Sequence, residues 1–411
     1  MVMDRILSTE LVRHFADNRQ MAFLSGPRQV GKTTIALDLC KRLAPDGAAG
    51  RYLNWDNQDH RAEILTGPRH VAGLAGATRL HSASPLLALD ELRKYRRWRD
   101  FLKGLFDVHG DALRILVTGS ARLDVFKRGG DSLMGRYFPY TLHPLSVGEL
   151  VATPDRVFGD SLVFPPHPID DDAWEALLRF GGFPEPLQKA EQRFYTRWRR
   201  LRMQQLFRED VRDLTRVQEV GQLEHLAESL RNQAGQLTGY TALGSRVRIS
   251  VDTVRRWIAI LEALYWCFSV RPWHTNVTRS LRKEPKFYLW DWSLVEDTGA
   301  RAENLIASAL LKTAHALTES GYGDVALHFL RDKQKREVDF VVVRDGKPWF
   351  LVEVKTSATT PLSPSLAYFQ QQTGARHAFQ VAMDLPYVDR DCFAHTEPII
   401  VPARTLLSQL V

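Results

Sequence analysis

Apolar and polar positions change their period several times along this chain, and each change marks an element. Residues 21–24 form a short unbroken apolar run that reads as a buried strand, and residues 35–43 then follow helical spacing. Similar apolar runs at 85–89 and 113–117 read as two more buried strands. The periodic pattern lapses over 151–172, which is rich in Pro and Asp and reads as a connector. Helical periodicity resumes over 173–187 and 193–220. A short helix is expected at 240–246, then a turn, then Ser250 as N-cap of a helix at 251–264. Two β-rich segments follow at 265–270 and 286–290, then a helix at 302–317 and strands at 325–330, 336–343 and 349–355. A helix at 364–373 and a strand at 378–383 complete the last region.

The first strand runs directly into Gly26, Pro27, Arg28, Gln29, Val30, Gly31, Lys32, Thr33 and Thr34. This is G-x-x-x-x-G-K-[ST] between a strand and a helix. Glycines let consecutive backbone N–H groups curl around phosphates at a helix N-terminus, where the helix dipole also favours anions. The pattern points to ATP as cofactor. Lys32 is expected to reach the β- and γ-phosphates, Thr33 to hold Mg2+ through its hydroxyl, and Thr34 to sit beside the α-phosphate. The second apolar run ends in Asp90 and Glu91. Asp90 is the expected magnesium-side carboxylate and Glu91 the general base that polarises the attacking water. The third ends in Thr118, Gly119 and Ser120, where Ser120 is the candidate sensor of the γ-phosphate.

These residues resemble the AAA+ branch of the P-loop ATPases. That resemblance implies a homo-oligomer, for which a hexameric ring is one form, in which an arginine of one subunit touches its neighbour's γ-phosphate. Arg136 is the first candidate and Arg122 the second. From Ser132 the likeness becomes more particular. Residues 133–136, 142–150 and 180–185 look like those of a large group of prokaryotic AAA+ ATPases, similar to archaeal-type ATPases, that carry an uncharacterised C-terminal region.

In the middle of the chain, arginines crowd 193–216 on a helical lid or linker that could face nucleotide, a neighbouring subunit or DNA. Helices at 240–264 followed by a basic hairpin read as a winged helix. Thr253, Arg255 and Arg256, at the start of its second helix, are the candidates for a major groove, with Arg279, Arg282 and Lys283 on phosphates.

The last region sets Asp339 fourteen positions before Glu353, with Lys355 two further on. Period-two alternation puts Glu353 and Lys355 on one face. With Glu303 from the preceding helix, Asp339 and Glu353 could hold magnesium and activate water against a phosphodiester, Lys355 orienting the nucleophile or steadying the developing charge. The order helix, three strands, helix, strand with D…E-x-K resembles the PD-(D/E)xK nuclease superfold, whose members also serve as DNA-binding or assembly modules.

The expected fold is therefore α/β: an AAA+ P-loop ATPase domain over 1–155, a connector and helical lid over 156–234, a winged-helix domain over 235–294 and a restriction-endonuclease-like α/β domain over 295–411. The 411 residues, 44% hydrophobic, are ample for several cores. A formal charge of +7 is mild at this length, so local arginine density matters more than the sum. No apolar run suggests a membrane span, and Cys40, Cys267 and Cys392 lack the spacing of a zinc site or disulfide framework; they read as core thiols of a reducing cytoplasm. The leading functional expectation is an ATP-driven motor or remodeller, such as a helicase or branch-migration translocase, acting on duplex or branched DNA. The alternative is a nucleotide-dependent assembly switch in defence or signalling.

Overall fold

The computed structural model describes residues 5–44, 50–78, 83–121, 133–151, 162–214, 217–273 and 284–411. The chain divides into two compact units, Met1–His143 and Pro144–Val411.

The first unit contains α1 (Ile6–Asp17), β1 (Met21–Ser25), α2 (Lys32–Arg42), β2 (Arg51–Asn54), α3 (Gln58–Thr66), α4 (Pro68–Leu74), β3 (Leu86–Asp90), α5 (Trp98–His109), β4 (Arg114–Gly119) and β5 (Tyr137–Thr141). Its five strands lie in the order β2-β3-β4-β1-β5, and every pairing is parallel. Parallel strands are covered on both faces, which is why β1 and β3 are apolar without alternation and buried at every position. Phe23, Leu53, Leu87, Leu89, Ile115 and Val117 carry the core under α3–α5. The strand order has one direct consequence. Because β4 stands between β1 and β3, Ser25 pairs with Gly119 and Thr118 pairs with Asp90, so the loop after β1 and the residues ending β4 and β3 share one edge of the sheet.

The second unit opens with α6 (Val147–Leu150), α7 (Asp171–Phe180), α8 (Pro184–Lys189) and α9 (Gln192–Gln205), then a π-helical turn (Leu206–Asp210) and α10 (Val211–Leu214). α11 (Val220–Asn232), α12 (Tyr240–Val247) and α13 (Val251–Ala263) precede β6 (Cys267–Pro272) and β7 (Lys286–Leu289). The remainder is α14 (Thr298–Glu319), β8 (Val325–Arg331), β9 (Glu337–Arg344), β10 (Lys347–Lys355), α15 (Pro364–Thr373), β11 (His377–Ala382), β12 (Ile399–Pro402) and α16 (Ala403–Ser408).

Seven strands of this unit form one sheet in the order β12-β11-β10-β9-β8-β6-β7. The two strands expected as a basic wing, β6 and β7, therefore form the end of the larger sheet: β6 pairs antiparallel with β7 and parallel with β8 through Arg271↔His328 and Pro272↔Phe329. Segment 144–151, expected with the ATPase domain, packs within the second unit. Lys312 of α14 donates to the Pro144 carbonyl at 3.1 Å and to Ser146 Oγ at 2.9 Å, and pairs with the buried Glu149 carboxylate. One arginine of the dense 193–216 stretch is also structural: Arg202 pairs with buried Asp291 at 2.8 Å and lies 3.7 Å from the Phe183 ring centroid.

Candidate functional site

The loop after β1 turns through Gln29 at φ 62° and Gly31 at φ 106°, the residue that caps α2. Gly31 supplies that backbone without steric cost. A Cβ on Gly26 would collide with the Leu142 carbonyl, so glycine is required there for close approach. Lys32 is buried, and its ammonium donates to the carbonyls of Gly26 at 2.9 Å and Pro27 at 2.7 Å, which holds the charge over the loop. Pro27 and Val30 are buried, Arg28 is half-buried, and Gln29 and Thr34 are exposed. A residue that sequence reasoning missed braces the loop from outside: Arg5 donates to the Val30 carbonyl at 3.0 Å and to the carbonyl of His143.

Asp90, buried at the end of β3, receives three hydroxyls. Thr33 Oγ1 donates to Oδ2 at 2.8 Å, the Tyr52 phenol donates to the same oxygen at 2.6 Å, and Thr118 donates to Oδ1. Burial, and then the Asp90 carboxylate beside it, push the Tyr52 phenol well above its ordinary range, so it remains a donor. Glu91 takes a left-handed backbone, φ 52°, and receives Ser120 Oγ at 3.3 Å. The expected set Lys32, Thr33, Asp90, Glu91 and Ser120 thus stands at one edge, joined by Tyr52 and Thr118. Arg136 does not. It precedes β5, whose Tyr137 pairs with Met21 at the start of β1, the strand end opposite the loop, and its guanidinium makes two hydrogen bonds to Asp107 at 2.7 and 3.0 Å. Arg122 lies outside the described residues.

In the second unit, Ser250 accepts the Thr253 N–H at 3.1 Å and opens α13 as expected, with Arg255 and Arg256 exposed on its first turns. Arg255 pairs with Asp252 at 3.2 Å. Arg279, Arg282 and Lys283 lie outside the described residues.

The sheet brings Glu303, Asp339, Glu353 and Lys355 together, with two further residues, Lys286 and Glu337, among them. Lys286 Nζ is 2.7 Å from Glu337 Oε1, 3.4 Å from Glu303 Oε1 and 3.8 Å from Asp339 Oδ1. Asp339 Oδ2 accepts the Val354 N–H at 2.8 Å, Glu303 Oε1 accepts the Tyr288 hydroxyl at 2.7 Å, and Lys355 donates to Glu353 Oε1 at 2.8 Å. Burial and the Asp339 carboxylate push the Glu303 carboxyl up to about 7, and burial likewise raises Asp339 and Glu353. Burial opposes the charge on Lys286, yet the Glu303, Asp339 and Glu337 carboxylates outweigh it and hold that ammonium above its ordinary range. Sequence reasoning expected magnesium on Glu303, Asp339 and Glu353. Among the described residues no three His, Cys, Asp or Glu side chains are placed to hold a metal ion, and an ammonium stands between the acids instead.

Residues 18–151 match the family model of an AAA domain. The chain carries an AAA ATPase domain. Residues 298–386 match a domain of unknown function, DUF4143, and residues 171–302 another, DUF8612. The AAA domain and its C-terminal region extend together into two uncharacterized proteins, of Mycobacterium bovis and Mycobacterium tuberculosis. Each is 22% identical over 377 residues, covering 89% of this chain and 77% of the relative. Among solved structures, AMPPCP-bound DnaA from Aquifex aeolicus superposes with a TM-score of 0.31 at 13% identity, covering 62% of this chain and 86% of that one. PCH-2 of C. elegans gives 0.28 at 13% identity, covering 62% and 67%.

The AAA domain's chemistry fits ATP and Mg2+ by its donors. A loop with a glycine-capped helix start offers N–H groups to phosphates. Thr33 and Asp90, already within hydrogen-bond distance, form the oxygen pair that would hold the ion. No helix among the described residues is long and apolar enough to cross a membrane.

Proposed function

We propose that this AAA ATPase spends ATP on remodelling or moving along duplex or branched DNA, as a homo-oligomer. The observation that carries the DNA reading is α13, whose capped first turns present Arg255 and Arg256 to solvent beside Thr253. A helix so presented can enter a major groove, while arginines on phosphates supply salt-dependent affinity. In the catalytic reading, Lys32 neutralises charge on the β- and γ-phosphates, and Thr33 and Asp90 hold magnesium. Glu91 takes the proton of the attacking water, with Ser120 fixing its carboxylate. Arg136 completes a neighbour's site, a role supported by its standing away from its own loop. Within the second unit, α12–α13 and the β6–β7 hairpin are the DNA-reading part of this proposal.

ATP turnover measured with and without duplex or branched DNA tests this. Stimulation by DNA, lost in Arg255→Ala/Arg256→Ala, is the expected result. Turnover indifferent to DNA, with assembly that follows the bound nucleotide, would replace the motor by a nucleotide-dependent assembly switch.

A further inference from the structure

The acids of the second unit are arranged around a lysine that the sequence did not single out. Lys286 opens β7 and is held on both edges of its strand segment: Val270 pairs with it from β6, and Leu237 bridges to it from the other side. Its side chain is only 4% exposed. The ammonium lies within 4 Å of carboxylate oxygens from α14 and from two positions of β9, and 5.6 Å from the Phe329 ring centroid. It is therefore enclosed by Glu303, Glu337, Asp339 and an aromatic face.

A magnesium or manganese ion needs several oxygens converging on one point at roughly 2.0–2.2 Å. Here the oxygens are turned elsewhere. Asp339 Oδ2 is taken by the Val354 N–H, Glu303 Oε1 by Tyr288, Glu353 Oε1 by Lys355, and Glu337 is shared between Lys286 and Arg331. Glu353 Oε2 is the buried oxygen of this group with no hydrogen-bond partner among the described residues. One such oxygen falls short of the several that a divalent ion needs, and burial beside Asp339 raises the Glu353 carboxyl above its ordinary range, which disfavours the ionised form a metal would bind. A divalent ion would also have to enter beside a buried ammonium already paired with Glu303, Glu337 and Asp339, and like charges at that distance repel.

We propose that Lys286 is the resident cation of this cluster, that it excludes a divalent metal ion, and that the D…E-x-K region of this protein does not hydrolyse phosphodiesters. The proposal is independent of the DNA reading of α13 and of ATP hydrolysis by the first unit. It makes the acids and lysines a buried ionic knot that ties the β6–β7 hairpin to α14, β9 and β10.

The test is Mn2+ uptake by the nucleotide-free full-length protein, followed by the electron paramagnetic resonance of free Mn2+. Wild type and Asp339→Asn should take up the same amount. Lys286→Met, which keeps an unbranched side chain one atom shorter and removes the charge, should bind Mn2+ at least about tenfold more tightly than wild type, and the gain should vanish in Lys286→Met/Asp339→Asn. Should Lys286→Met fail to fold, the comparison of wild type with Asp339→Asn decides alone. Mn2+ bound by wild type and lost in Asp339→Asn overturns the proposal, as does metal-dependent DNA cleavage by wild type that Asp339→Asn abolishes.

Discussion

Thr33 Oγ1 and Asp90 Oδ2 lie 2.8 Å apart across 57 residues of sequence, and this contact joins the loop of the candidate site to the strand-end acids of the first unit. It joins the start of α2 to the end of β3, two strands away from β1. The contact explains why the loop alone is an incomplete candidate site: the Thr33 hydroxyl is positioned by a carboxylate that only the strand order brings near.

Lys32→Ala removes the one ammonium that the loop holds over itself. Loss of a charge-assisted hydrogen bond costs about 1.5–3 kcal/mol, so ATP affinity should fall by a factor on the order of 10 to 100 in a fluorescent-nucleotide titration. Affinity equal to wild type would show that the loop does not grip phosphate.

Glu91→Gln should separate binding from turnover. The amide preserves shape and the contact with Ser120 but cannot accept the proton of water, so kcat should fall by roughly 10²–10⁴-fold while nucleotide affinity stays within a few-fold. Steady-state turnover beside equilibrium binding checks both halves.

Tyr52→Phe tests a positioning residue on the edge strand β2. Its hydroxyl is one of three that fix the Asp90 carboxylate. Removing one hydrogen bond, worth about 0.5–1.5 kcal/mol, should raise the Mg2+ concentration needed for half-maximal turnover several-fold with little change in kcat at saturating Mg2+. A change in kcat alone would place Tyr52 elsewhere in the mechanism.

Glu303→Gln should change how the protein's stability depends on pH. The ordinary Glu303 pKa of 4.5 is pushed up to about 7 by burial and Asp339. Between those values the folded state keeps a proton that the unfolded chain has released. The stabilisation is therefore complete below about pH 4.5 and is lost as pH rises through 7. It amounts to something on the order of 2 kcal/mol for this partly exposed group. Urea unfolding at pH 5 and pH 8 should show a larger loss in wild type than in Glu303→Gln; equal losses would mean that Glu303 is ionised throughout.

Much of this protein was legible in its sequence because the signals were short-range. Residues 21–34 announce strand, loop and helix through unbroken hydrophobicity, glycine spacing and helical period, and the structure returns β1 and α2 at those places. In the tail, the helix read at 364–373 is α15 residue for residue, and Glu353 and Lys355 share a face because a strand alternates. Asp90, Glu91 and Ser120 were recognisable as strand-end residues, and the parallel order β2-β3-β4-β1-β5 sets them beside the loop.

Arg5, Tyr52 and Lys286 were not legible. Each is an ordinary residue for its own element, and each acquires its role from a partner on a different strand or loop. The period of a strand says which face a side chain occupies, but it does not say which strand lies alongside or in what register. Only the tertiary pairing of β6 with β7 and β8 carried Lys286 into the acids of β9 and α14, and with it the difference between a metal-shaped pattern in sequence and a cluster closed by an ammonium.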